Sequence, residues 1–397
     1  MSWRGVTVMD QRVRFISEYL NGYFSLAEIC RQFEVSRKTG YKWIGRYEAF
    51  GAEGLADQSR RPRNCPHQTD DEIIKGIIEV RRKHPTWGPK KLLKIISDKH
   101  PGWELPAIST AADILKREGL ILPGKRRLRR KHPGCPKTTT NSPNDIWTAD
   151  YKGHFKMRNG NYCYPLTVCD MHSRYLLGCD AQKRISLKEA KLHFTKLFNE
   201  FGLPSRIRTD NGVPFASSAI ARLSTLSVWW LKLGICPEQI EPGKPQQNGK
   251  YERMHRTLKK EATIPPEKNI PAQQKRFDSF MEEYNNVRPH EALEMKTPSD
   301  VYHHSERKMP RRLRHYDYPC HFEVRRVSRN GGIRWKHVRV PVSHTLIEEY
   351  IGFEEIEDGI HNVYFHDFLI GRFFEEIYKI KDVIKRVPTR NRGPKKV

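Results

Sequence analysis

Along residues 1–55 the apolar positions recur three and four apart, the period of helices packed on a common core. Val13, Ile16 and Leu20 share one helical face, and Asn21-Gly22 stops that segment. Ser25-Leu26-Ala27-Glu28 has the form of a capping box, in which the serine caps backbone N–H groups and the glutamate reaches back. Leu26, Ile29 and Phe33 continue it as a stripe. After a turn at Glu34-Val35, Ser36 starts a third helix. That helix carries Arg37, Lys38, Thr39 and Lys42 in its first turns and Trp43, Ile44 and Tyr47 for its core. A short helix, a tight turn and a helix that begins with cations and a hydroxyl is the helix-turn-helix arrangement, which would present those four residues to base edges and phosphates. An ordinary three-helix bundle with a solvated basic face has the same pattern.

The pattern recurs after a linker at 56–68 that is rich in proline and arginine. Thr69-Asp70-Asp71-Glu72 reads as a second capping box ahead of Ile73, Ile74, Ile77 and Ile78. Trp87-Gly88-Pro89 opens a helix with Leu92, Leu93 and Ile96, and Ser109 is placed to cap another over Thr110–Glu118. A second trihelical unit therefore covers 69–122, followed by a strongly basic linker at 123–140. From there the period shortens to that of strands. Ile146–Phe155 and Asn161–Asp170 form a predicted hairpin, Tyr175–Asp180 a third strand and Ser205–Thr209 a short one. Helices are expected over Leu187–Phe201, Ala219–Leu233 and Pro271–Val287. Strands alternating with covering helices describe a mixed α/β sheet domain at 141–305. Alternating residues around Asn330-Gly331-Gly332 then predict a small β-barrel at 316–380, before a basic tail at 381–397.

Charge changes the picture most. The 397 residues hold 72 Lys and Arg against 46 Asp and Glu, a formal net charge of +26. Such a surplus favours a polyanionic partner, with nucleic acid first and an anionic membrane surface or plain solubility as alternatives. No apolar run is long enough for a membrane span, and Met1–Ile16 lacks the apolar core of a signal peptide, so a cytoplasmic protein is expected. The eight cysteines form no C-x-x-C pair, which suits reduced thiols. Cys65, His67, His132 and Cys135 match none of the usual zinc spacings, so no zinc is expected.

Three carboxylates stand in unusual settings. Asp150 lies mid-strand in Trp147-Thr148-Ala149-Asp150-Tyr151, where a charge is costly unless paired or bound to metal. Asp210 sits at a strand end in Thr209-Asp210-Asn211-Gly212, and Glu252 begins a helix after Gly243-Lys244-Pro245-Gln246-Gln247-Asn248-Gly249. Such positions can converge at one edge of a mixed sheet, as two-metal phosphodiester chemistry requires. Each also has a plain alternative: a solvent-facing strand residue, a turn, and a favourable charge near a helix N-terminus. Asp170 and Asp180 compete with Asp150 for the first position. Arg256 and Lys259 fall on the helical face of Glu252, where they would hold phosphates or simply meet water.

Taken in order, Trp147-x-x-Asp150, Thr209-Asp210-Asn211-Gly212-x-x-Phe215 and Pro245-Gln246-Gln247-Asn248-Gly249-Lys250-Tyr251-Glu252-Arg253 resemble the three acidic motifs of the integrase-core (DDE-type) insertion-sequence transposases, relatives of retroviral integrases. Val228-Trp229-Trp230, Glu252-Arg253-Met254-His255-Arg256-Thr257-Leu258-Lys259, Arg288-Pro289-His290 and Thr297-Pro298-x-x-x-Tyr302 resemble its single-reading-frame bacterial branch. The resemblance implies a ribonuclease-H-like core in which Asp150, Asp210 and Glu252 hold two Mg²⁺ or Mn²⁺ ions. It further implies double-stranded DNA as substrate, contacts from Lys250, Arg253, Arg256 and Lys259, and a homodimer or higher homo-oligomer on DNA. End cleavage and strand transfer, that is DNA integration and recombination, would follow in a bacterial cytoplasm beside the nucleoid. The alternative is a domesticated DNA-binding regulator with an inactive core. Two departures stand out. The stretch between Asp210 and Glu252 exceeds the family's usual spacing, with Ala219–Leu233 absorbing the excess, and nothing matches the retroviral His/Cys zinc module.

Overall fold

The computed structural model describes residues 7–58, 68–121, 138–241, 249–313 and 315–383. Most of the two basic linkers, the segment 242–248 and most of the basic tail lie outside the described residues, as do Cys65, His67, His132 and Cys135. The chain divides into two compact units, 1–68 and 69–397.

In the first unit, α1 (Val8–Asn21), α2 (Leu26–Gln32) and α3 (Arg37–Phe50) pack as a trihelical body. The Ser25–Glu28 capping box is present, and Ser36 caps α3 by accepting from the Thr39 N–H. A further box, Thr7 with Asp10, opens α1. The α1 face differs from the expected stripe: Ile16 is buried beside Phe15, but Val13 and Leu20 are exposed. Arg12 explains the rotation. It stacks 3.9 Å from the Trp43 ring and donates to the Leu55 carbonyl, so its own helical face turns inward. Close packing of α3 needs Gly40, where a Cβ would lie 2.7 Å from Cys30 Sγ.

The second unit begins with another trihelical body, α4 (Asp71–Lys83), α5 (Pro89–Lys99) and α6 (Ile108–Arg117), closed around Ile77, Trp87, Leu92, Ile96 and Leu115. Asp70 rather than Thr69 caps α4, and α6 starts ahead of Ser109, behind Ala107, with no side-chain cap.

The central sheet contains β1 (Ile146–Tyr151), β2 (Phe155–Lys156), β3 (Tyr162–Asp170), β4 (Leu176–Gln182), β5 (Arg206–Thr209) and β6 (Cys236–Gln239). β1 runs antiparallel to β3 and parallel to β5; β4 flanks β3 and β6 flanks β5, so the mixed α/β sheet expected from the sequence is observed. Both faces are covered. Trp147, Ala149, Leu166 and Val168 pack under α7 (Leu187–Phe201) and α8 (Thr225–Lys232). Cys163, Cys169 and Cys179 pack under α9 (Gly249–Ala262) and α10 (Ile270–Glu282). Strand alternation therefore sets Thr148 and Asp150 on the face of α9. A π-type turn at Glu283–Val287 ends α10, and α11 (Pro298–Val301) follows. Asn285 in that turn bonds both the N–H and the carbonyl of Leu176, tying the turn to β4.

Ala219–Leu233 is not one helix. Ile220–Arg222 forms a 3-10 turn with Ala221 and Arg222 left-handed, and Ser224 caps the separate α8 through Ser227. The break lets Ile220, Ala221 and Leu223 join the core of the C-terminal strands. Those strands are β7 (Glu323–Arg326), β8 (Gly332–Trp335), β9 (Val338–Pro341), β10 (Tyr350–Glu357), β11 (Ile360–Phe365), β12 (Phe368–Phe374) and β13 (Lys379–Asp382). The closed small β-barrel expected there is not seen. Among the described residues the strands form an open five-stranded sheet, β13-β12-β11-β10-β7, beside a β8-β9 ribbon. The sheet closes its apolar face against residues from the α8 region and the ribbon, so it has no need to curl onto itself.

β5 and β6 hold a buried ion pair at registered positions: Arg208 Nη2 lies 2.7 Å from Glu238 Oε1, with exposures of 1% and 8%. Glu238→Ala should destabilise the second unit by about 3–5 kcal/mol, because it strands a buried guanidinium. The double change Arg208→Met, Glu238→Leu should cost much less. Urea unfolding followed by tryptophan fluorescence measures both, and equal losses would show that the pair is not what the site depends on.

Candidate active site

Asp150 is placed by β1. Its backbone carbonyl accepts from Thr167 Oγ1 at 3.0 Å across the β1–β3 register, where Asp150 faces Thr167. Asp210 is the next residue after Thr209, which pairs with Ala149, so the first two carboxylates follow adjacent positions of neighbouring parallel strands. Gly212 donates to Asp210 Oδ1 at 3.1 Å, and a Cβ on Gly212 would stand 2.9 Å from Asp210 Oδ2. Glycine thus leaves room for the carboxylate to lie over its own turn. Asn211 holds the loop by donating to the Ile240 carbonyl and accepting from Arg222.

The third element is α9. Tyr251, Met254, His255 and Leu258 form its buried face, and Glu252, Arg253, Arg256 and Lys259 are exposed. A compact network anchors it beside Asp150: Thr167 Oγ1 contacts Tyr251 Oη at 2.5 Å and His255 Nε2 at 2.8 Å, and Tyr251 Oη donates to the Thr167 carbonyl at 2.6 Å. His255 Nδ1 lies 3.8 Å from Asp150 Oδ2. The sequence reading missed this network. Its signal was the Tyr251–His255 spacing, two polar side chains on an otherwise apolar helical face.

Electrostatics joins the three carboxylates. Burial, then the Asp210 charge, with a smaller contribution from Glu252, pushes the Asp150 carboxyl up to about 7. Burial and the nearby Lys152 push His255 down to about 3, so its imidazole is neutral at physiological pH and does not offset the negative charge. Lys152 and a backbone hydrogen bond at Tyr151 oppose the Asp150 shift only in part, and hard carboxylate oxygens suit a hard divalent cation. Among the described residues no three His, Cys, Asp or Glu side chains are drawn together tightly enough to form a metal cluster.

The competitors are accounted for. Asp170 is buried and accepts from Asn144 N, Ser173 N and Ser173 Oγ, which makes it a loop-holding residue, and Asp180 accepts from Gln182. Of the helix-turn-helix candidates, Arg37, Lys38 and Lys42 are exposed, and Thr39 is half-buried with its hydroxyl against Ser36. The side chain of Lys250 and the Pro245–Asn248 part of the third motif lie outside the described residues. Tyr302 of the downstream signature is structural: it donates to Asn144 and stacks on Tyr175 at 4.5 Å.

Two families described as "Integrase core domain" match residues 140–245 and 233–298. A "Helix-turn-helix domain" matches 11–63 and a "Homeodomain-like domain" matches 39–115. The chain is 31% identical over 132 residues to the Pol polyprotein of Feline endogenous virus ECE1, covering 33% of this chain and 12% of that protein. It is 23% identical over 251 residues to the insertion element IS476 uncharacterized 39.2 kDa protein of Xanthomonas euvesicatoria, covering 60% of this chain and 66% of that one. Among solved structures, the HTLV-2 integrase catalytic core domain in complex with magnesium covers 41% of this chain and 98% of its own at 20% identity and a TM-score of 0.33. A simian T-cell lymphotropic virus intasome covers 74% and 97% at 16% identity and a TM-score of 0.38. The chain thus combines segments that match integrase-core and helix-turn-helix families, and it resembles insertion-sequence transposases.

Because the folded state favours protonated Asp150, its penalty is absent below the ordinary carboxylate range and grows as pH rises toward about 7. In EDTA, Asp150→Asn should therefore stabilise the protein by about 1–4 kcal/mol at pH 8 and hardly at all at pH 4. Thermal melts across that window check this, and a pH-independent difference would dissociate the burial from the charge.

Proposed function

We propose that this integrase-core protein of the insertion-sequence transposase type is a DNA transposase, a metal-dependent polynucleotidyl transferase whose active site is Asp150, Asp210 and Glu252. The observation that supports the reading is the position of Asp150 on β1, of Asp210 directly after the paired Thr209 of β5, and of Glu252 on α9, whose buried His255 lies 3.8 Å from Asp150 Oδ2. When bound there, two Mg²⁺ or Mn²⁺ ions would activate an attacking oxygen and stabilise a leaving one. Asp150, Asp210 and Glu252 would hold these ions.

The chain's own residues do the rest. Tyr251, Thr167 and His255 fix the roll of α9 so that Glu252 keeps its place relative to β1. Arg253, Arg256 and Lys259 hold backbone phosphates along that helix, and Lys250 belongs to the same set by position. Arg37, Lys38, Thr39 and Lys42 of the first helix-turn-helix unit read the element ends. In the first step a water oxygen attacks a phosphorus at the element end and the 3′-oxygen leaves as a hydroxyl. In the second, that hydroxyl attacks a target phosphodiester, and one bond forms for each broken, without a covalent enzyme intermediate. The protein works on double-stranded DNA as a homodimer or larger assembly.

Glu252→Gln should abolish end cleavage and strand transfer, leaving folding and DNA binding intact. Glu306→Gln, at an exposed position, should have no effect. Residues acting as a unit are non-additive, so Asp150→Asn combined with Glu252→Gln should be no worse than either alone. Joining of pre-cleaved ends, in Mg²⁺ and in Mn²⁺, reads the outcome. Normal joining by the Glu252 variant would remove it from the site. DNA binding without joining by the wild type would favour a regulator with an inert core.

A further inference from the structure

Arg288 and His290 of the Arg288-Pro289-His290 signature line a cavity of about 460 Å³ between α5, α9 and the turn after α10. Four cations face it: Lys91 from the second helix-turn-helix unit, Arg174 from the β3–β4 turn, Arg253 from α9, and Arg288. Only part of that charge is matched. Arg288 Nη1 lies 2.7 Å from Glu261 Oε1, and Glu291 meets Lys90 at 3.4 Å. Among the described residues none of Lys91, Arg174 and Arg253 has a carboxylate in ion-pair contact. His290, only 9% exposed, lines the same cavity, and its Nε2 is buried without a hydrogen-bond partner.

Half-buried Lys91 and Arg174, exposed Arg253 and an unused buried ring nitrogen around one space favour entry of an anion. Burial, then Lys91, Arg288 and Arg174 in turn, hold the His290 imidazole down to about 3; burial followed by Arg288 lowers the Lys91 ammonium to about 8, with Glu291 and Glu261 opposing in part. The position favours an anion that belongs to a polymer. One wall is a helix of the second reader and another is α9, where Arg253 stands three residues from the exposed Arg256. That reader is fixed to the core beside the cavity: His84 Nδ1 meets Glu283 Oε1 at 2.7 Å, Thr86 donates to Glu261, and Arg288 lies over Trp87 at 5.7 Å.

Resting on the DNA-binding reading above, we propose that this cavity seats one backbone phosphate of bound duplex DNA, clamped between the second helix-turn-helix unit and the core. The contact registers the DNA against the reader and the carboxylate edge together, which gives Arg288 and His290 a role the chemistry itself does not.

The test uses the full chain, a duplex selected by that chain from a random pool, and the variant Lys91→Met, Arg174→Gln. The log–log salt slope of binding should fall by about 0.9, the loss of one phosphate contact. Ethylation of one specific phosphate should block the wild type but not the variant, and Lys91→Arg should behave as wild type. An unchanged slope and ethylation pattern in a folded variant overturns the proposal while leaving DNA binding standing. So does stabilisation by inorganic phosphate that the variant loses with its slope unaltered, which would assign the cavity to a free anion. A wild type that binds no duplex overturns the DNA-binding reading itself.

Discussion

A carboxylate set near the end of a buried strand, with a second at the end of the neighbouring parallel strand, is the arrangement on which the rest of this protein turns. Asp150 stands half-buried near the end of an otherwise buried strand, with Asp210 as a like-charged neighbour and Lys152 opposing it. In water such groups would separate; here the backbone forbids it. The β1–β5 register fixes Asp210 beside Asp150, and the Thr167–Tyr251–His255 network fixes α9 against the same face. The cost is met by the surrounding core, whose aromatic packing of Trp147, Phe194, Phe198 and Trp230 holds the strands in place whatever the charge state at their ends.

Interactions around this centre follow one economy, in which buried charge is held by paired charge and hydrogen bonds. Arg208 with Glu238 secures the parallel strands that deliver Asp210. His84 with Glu283, and Thr86 with Glu261, secure the second trihelical body against the core, and Arg288 pairs with the same Glu261. Glu261 and Glu252 share α9 yet serve different ends: the first, 18% exposed, is a structural anchor, and the second faces outward near Asp150. The C-terminal strands borrow apolar surface from the α8 region and bond to it through Lys232–Glu349 and the Ala221 N–H to Asp382. The segment that lengthens the Asp210–Glu252 interval is thus a docking element.

Local chemistry was the legible part. Ser25 with Glu28, Ser36, Pro89 and Pro271 mark helix starts because a cap or a fixed φ acts within one turn. Leu187–Phe201 was readable from its stripe because the whole face is used. The Ala219–Leu233 segment misled because its apolar residues serve two different cores, and periodicity cannot report which neighbour a side chain meets. Cys236–Gln239 was missed as a strand because it is short, and its Arg208–Glu238 pairing is between residues thirty positions apart.

The sequence by itself determined the order of helical and strand segments, the basic surplus, and which three carboxylates merit attention, because caps, periods and motif spacing are properties of neighbouring residues. Only the tertiary structure decided that Asp170 is a buried loop anchor, that His255 stands beside Asp150 as a neutral imidazole, and that the C-terminal strands stay an open sheet. It alone gathered Lys91, Arg174, Arg253 and Arg288 around one cavity. Burial and electrostatic field depend on which distant segments pack together, and a pattern along the chain carries no term for that distance.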